Sequence, residues 1–173
     1  MDAFEVVVFG RLSDSQRTEL EAGEEDPFDA AGNSLSFRPK DQHVALRETD
    51  GRLVASTGFV LADLCVDKRP PVPFVGIGGV FVTAERRGQG LGDRILVEAL
   101  RFAQTLGPEL VLLFCHRDRT GLYLHHGFAE VEPPVLVEQS DGYAEIPLVT
   151  MWRPLEDGAT PAPGRLTVRS LPF

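Results

Sequence analysis

Glu85–Leu100 reads ERRGQGLGDRILVEAL and begins two residues after the apolar run Val75–Val82, VGIGGVFV. Gly88, Gly90 and Gly92 fall within five residues, with Arg86 and Arg87 just before them. Leu91, Ile95, Leu96, Ala99, Leu100 and Ala103 then recur on one helical face, with Asp93, Arg94, Glu98 and Arg101 mostly elsewhere. The segment is therefore a strand, a glycine-rich turn and a helix that stops at Gly107-Pro108. Such a turn suits a phosphate. Glycine lets the backbone approach a ligand closely, and the free N–H groups and dipole at a helix start favour an anion.

Two phosphate motifs fail on spacing. No lysine follows the glycines, as a P-loop requires. In the dinucleotide fingerprint the last glycine would fall on Asp93 counting from Gly88, or on Phe81 counting from Gly76. The pattern Arg-x-x-Gly-x-Gly is met by Arg87, Gly90 and Gly92, with Arg86 or Arg87 as a charged partner for the phosphates. Taken alone, it fits a bare strand–helix turn equally well.

Working outward, FEVVVFGRL reads as a first strand, and SDSQRTELEAGEE as a capped helix. Pro27 to Asp41 reads as loop with room for a short helix. Two strands follow, joined at Asp50-Gly51, a strong hairpin signal. Pro70–Pro73 reads as a break before the strand VGIGGVFV. LVLLFC, Leu110–Cys115, is a short apolar run typical of a strand covered on both faces. HRDRTGLYLHHGF carries a short helix ending at Gly127; strands are expected at Ala129–Val137 and in IPLVTMWRPL, and RLTVRSLPF is a final extended segment. The order implies an α/β or α+β domain with a mixed sheet.

The segment LYLHHGF supplies Tyr123, Gly127 and Phe128 downstream of the turn. With Val82, Arg87–Gly92 and Leu110–Cys115 in that order and spacing, the chain resembles the GNAT acetyltransferase superfamily over roughly Gly76 to Phe128. The resemblance implies a GNAT-type, mostly antiparallel mixed sheet, splayed at its centre and flanked by helices. It implies a single domain over 1–173, with 1–70 giving the N-terminal strands and acceptor-side helices and 155–173 a C-terminal tail. It further implies acetyl-CoA as cosubstrate, without a metal, and transfer of the acetyl group to an amine through a tetrahedral intermediate.

Residue by residue, the family pattern places the pantetheine arm along the backbone of Val80, Phe81 and Val82. An N–H near Val80 would polarise the acetyl carbonyl. Arg87, Gly88, Gln89, Gly90, Leu91 and Gly92 would hold the pyrophosphate. Tyr123 would be the general acid for the departing thiolate. His116 stands where relatives often carry an asparagine that contacts the coenzyme, and is assigned to that contact. Many relatives also carry a base glutamate on the strand before the turn, but GIGGVFV has no ionisable side chain. If the tail reaches the cleft, a carboxylate at Phe173 would bind the amine or act as base, by analogy with aminoglycoside-modifying relatives. Packing of the tail into the core is the plainer account.

The chain has 173 residues, 43% of them hydrophobic, enough for a core. Cys65 and Cys115 lie in apolar surroundings and read as reduced, buried thiols, and their number implies no metal set. His125-His126 reads as structural or surface. The MDAFEVVVFGRLSD start has too short an apolar run for a signal peptide or span, so a soluble, cytoplasmic protein is expected. The net charge of −9 argues against nucleic acid and anionic membranes. Acid is concentrated in EAGEEDPFD, at Glu21, Glu24, Glu25, Asp26 and Asp29. A lip of that kind suits a cationic small molecule, aminoglycoside-like, as acceptor. Protein or peptide N-acetylation, a non-catalytic acyl-CoA-binding sensor or partner module, and a nucleotide-binding regulator stay open, as does a homodimer.

Overall fold

The structure is a computed structural model that describes residues 3–21, 34–156 and 158–173. Strand β1 (Phe4–Phe9), helix α1 (Asp14–Glu21), β2 (Gln42–Glu48), β3 (Leu53–Val66) and β4 (Val72–Val82) come first. Helix α2 (Leu91–Ala103), β5 (Leu110–Cys115) and α3 (Thr120–His125) follow. The rest is β6 (Ala129–Glu130), β7 (Val135–Gln139), β8 (Gly142–Glu145), β9 (Val149–Pro154) and β10 (Leu166–Val168). Glu21 ends α1, but Glu24, Glu25, Asp26 and Asp29 lie outside the described residues.

The strands form one mixed sheet, parallel only between β4 and β5 and between β10 and β7. The Asp50-Gly51 turn joins β2 to β3 as expected. β3 organises the sheet. One edge pairs with β4; the other takes β2 first and then, at Leu64–Val66, the tail strand β10.

Two expectations are corrected and a third is sharpened. Pro73 does not break the chain: β4 starts at Val72 and pairs Pro73 with Asp63. Proline gives up only its own N–H, which the first residues of a strand tolerate. The strand expected over Ala129–Val137 is two strands, β6 and β7, on either side of the dipeptide Pro133-Pro134, and β7 continues into a hairpin with β8. The final extended segment is a paired strand inside the sheet, parallel to β7.

Apolar alternation gives each face its core. Val75, Ile77, Val111 and Leu113 face α2, which buries Leu91, Ile95, Leu96, Ala99 and Ala103 against them. Phe74, Leu110 and Leu112 face the other way and meet Val135, Val137, Leu166, Val168 and Phe173. α1 covers Ala45, Leu53 and Phe81 with Leu20.

Candidate active site

β4 and β5 are paired only at Val75–Ile77 and Val111–Leu113. Beyond that point β4 stays with β3 through Val82, whereas Phe114 and Cys115 stay with β9. The sheet therefore opens between them. The cause of the bend sits in β4. Between the pairs Gly58–Gly78 and Ser56–Phe81, two residues of β4 oppose the single Thr57 of β3. Gly79 is the first of these, at φ 63°, a left-handed conformation that favours glycine. Such a bulge takes backbone out of the ladder and turns the strand. Gly79 and Val80 are partly exposed at the mouth of the opening, as is Val82, while the Phe81 side chain is buried under α1.

The glycine turn lies at the end of β4. Gly88 and Gly90 have φ 75° and 77°, and a side-chain carbon on either would meet nothing within 4 Å. Their glycine requirement is conformational, and open space lies over the start of α2. Gly92 is set against Leu122 of α3, 3.9 Å from where its Cβ would stand. The two arginines have different surroundings. Arg86 pairs with Glu48 at 2.6 Å. Arg87 donates from Nε to the Val82 carbonyl at 3.1 Å and lies over the Phe81 ring. Gln89, Gly90 and Arg87 are exposed around the helix start, whereas Leu91 is buried as the first core residue of α2.

Tyr123 lies on α3, which follows β5, the strand that forms the other side of the opening. It is 7% exposed and packs edge-on against Phe128, with ring centroids 5.9 Å apart. Burial, then the neighbouring Cys115, pushes its phenol pKa well above the ordinary value. The hydroxyl therefore keeps its proton at any physiological pH, the state a general acid needs. Cys115 is buried as expected, and burial pushes its thiol up to about 11; Cys65 is only half-buried, and both are free. His116 follows β5 directly and is partly exposed. His126 pairs with Asp93, its carbonyl accepts a hydrogen bond from Arg153 Nη1, and His125 is exposed. Among the described residues, no group of three or more His, Cys, Asp or Glu side chains could hold a metal.

The face of β4 away from α2 carries groups that pattern reading missed. The Phe173 ring lies 2.5 Å from where a Cβ on Gly76 would stand, and its main-chain carbon and oxygen lie 3.0 Å from that position on Gly78. The Lys40 stem lies where a Gly58 Cβ would be, and its Cε is 2.9 Å from the Gly78 Cβ position. Gly58 and Gly78 face each other across β3 and β4, so together they make the groove that Lys40 fills. His43 is beside it, with Nδ1 2.7 Å from the Gly10 carbonyl and Nε2 toward Gly58. A carbonyl only accepts, so Nδ1 carries the proton and Nε2 is the basic nitrogen. The available signal was Gly58 inside an otherwise apolar strand, a mark of close approach by another group.

Comparison with known proteins agrees with this geometry. Residues 10–128 match the model of the acetyltransferase (GNAT) family. No curated protein matches the chain by sequence. Among solved structures, the GNAT family N-acetyltransferase YhbS of Escherichia coli, in complex with CoA, superposes with a TM-score of 0.61 at 15% identity, covering 98% of this chain and 92% of that one. ElaA of Escherichia coli gives 0.55 at 22% identity, with 87% and 99% covered. A GNAT family acetyltransferase of Staphylococcus aureus Mu50 gives 0.55 at 11%, with 88% and 100% covered. At these identities the likeness is one of fold.

Proposed function

The chain belongs to the GNAT acetyltransferase family and uses acetyl-CoA, and from that premise we propose that it transfers the acetyl group directly to a primary amine, with Tyr123 as general acid. The observation that carries this reading is the parting of β4 and β5 beyond Ile77 and Leu113, with the glycine turn on one side and Tyr123 on the other. A thioester in that gap would lie along Val80–Val82, with an N–H near Val80 for the developing oxyanion, a contribution of about 3 kcal/mol in comparable sites. The amine nitrogen bonds to the acetyl carbon and sheds a proton to solvent, the carbon–sulfur bond breaks, and the Tyr123 proton neutralises the thiolate and is replaced from solvent. Arg87 to Gly92 and His116 are the proposed coenzyme contacts. The open orientation of the turn supports them, although Arg87 must exchange its bond to the Val82 carbonyl to reach a phosphate.

A cationic, aminoglycoside-like acceptor is the finer proposal, and its motive is the acid-rich segment. The test mixes purified protein and acetyl-CoA with aminoglycosides, simple alkylamines and basic peptides, and follows free thiol. Release with the aminoglycosides alone supports the cationic acceptor. Release with peptides alone moves the assignment to peptide N-acetylation. Coenzyme binding without release on any amine would make the protein a binding module.

A further inference from the structure

A donor aimed at a developing oxyanion is most effective when its direction is fixed before the substrate binds. β4 is poorly equipped to fix the peptide units around Val80 by itself. Gly76, Gly78 and Gly79 supply no side chains to hold a register. The bulge also takes Gly79 and Val80 out of regular pairing, and both are partly exposed at the opening. Resting on the transferase reading above, we infer that Thr57 is a positioning residue for acyl transfer: its hydroxyl locks the bulge and so aims the Val80 N–H at the acetyl oxygen.

Thr57 is the single residue of β3 that stands opposite both Gly79 and Val80. Its Oγ1 donates to the Gly78 carbonyl at 3.2 Å. That carbonyl and the Gly79 N–H belong to one peptide plane. The next plane carries the Val80 N–H and is joined to the first only through Gly79, at φ 63°. Holding the first plane therefore limits how the second can turn.

Thr57 is itself well held. It is fully buried, and its backbone pairs with Val44 of β2 on the edge away from β4. Cross-strand partners share a face, and Val44 belongs to the cluster against which Val80 packs. Residue choice agrees. Ala55 and Phe59, the neighbours of Thr57 on that face, are apolar. Valine would fill the same space without a hydroxyl to satisfy. The hydroxyl serves the bond to Gly78.

The test binds acetyl-CoA, labelled with 13C at the acetyl carbonyl, to the unaltered protein, Thr57→Val and Thr57→Ser. Valine keeps the shape and deletes the hydroxyl, whereas serine keeps the hydroxyl. Calorimetry is expected to give similar acetyl-CoA affinities, because the turn Arg87–Gly92 is intact in all three. The infrared carbonyl band is expected at higher wavenumber in Thr57→Val than in the other two, which coincide. One band position for all three proteins, or a serine variant that follows the valine one, overturns the proposal.

With an amine that the unaltered protein acetylates, kcat is expected to fall about tenfold in Thr57→Val and to recover in Thr57→Ser. A lower melting temperature with unchanged kcat would mean a structural role only, and overturns the proposal too. One measurement needs no variant. The 15N–1H signal of Val80 is expected to move when acetyl-CoA replaces CoA on the unaltered protein. A Val80 signal that stays in place overturns the proposal even if Thr57→Val does not fold. Failure of the unaltered protein to bind acetyl-CoA or release thiol would instead sink the transferase reading itself.

Discussion

His126 Nε2 and Asp93 Oδ1 lie 2.9 Å apart, tying the end of α3 to the first turn of α2. Together with the packing of Leu122 on Gly92, this contact fixes Tyr123 relative to the glycine turn. Asp93→Asn weakens a partly exposed pair worth about 1 kcal/mol. A melting temperature lower by about 2–4 °C is expected, with kcat affected more than the affinity for acetyl-CoA. Calorimetry and coenzyme titration check this, and a variant with wild-type kcat would remove the positioning role.

Tyr123→Phe keeps the ring against Phe128 and deletes only the hydroxyl. Thiol release is expected to fall about a hundredfold in kcat, while acetyl-CoA binding by calorimetry stays the same. Full activity would show that the thiolate leaves without help from this residue.

Phe173 and Gly76 are complementary in volume. Gly76→Ala drives a methyl group into the ring and is expected to destabilise by about 1–3 kcal/mol. Phe173→Ala opens a cavity and is expected to cost about 3–5 kcal/mol. The double variant is expected to be more stable than the sum of the two losses allows, because each change relieves the other. Denaturant midpoints measure all three, and strict additivity would contradict the contact.

His43 is 6% exposed, stacks on Phe9 and has a lowered pKa, chiefly through burial. The unfolded chain therefore binds a proton more readily than the folded one. Stability is fully present above the unfolded value of about 6.5 and is lost as pH falls through and below it. Urea midpoints measured from pH 7.5 to 5 are expected to drop more steeply for the wild type than for His43→Gln. Parallel curves would show that another group governs the acid limb.

The centre of the chain was legible because its signals are local. The strand, glycine turn and helix from Val75 to Ala103 depend on neighbours a few residues apart, and so does the Asp50-Gly51 hairpin. Pairing over long distances carries no such mark. Nothing in RLTVRSLPF announces that Leu166–Val168 lies between β3 and β7, since a short apolar alternation fits any open edge. Lys40 was missed for a related reason. It sits in an irregular stretch without periodicity, and its meaning comes from Gly58 and Gly78, which lie far along the chain. The lack of an ionisable side chain on GIGGVFV was visible in the sequence, but the groove that Lys40 fills shows only in three dimensions.

The placement of β10 also bears on how the chain is made. Val66 pairs with Leu166, roughly 100 residues later. During synthesis the Leu64–Val66 end of that edge of β3 emerges early and waits for its partner while residues 67–165 are still being added. Its N–H and C=O groups are exposed in that interval to any other extended segment, the circumstance in which nascent sheets aggregate. Closing the sheet is therefore among the late steps of folding, and the face that holds Lys40 and Phe173 is completed with it.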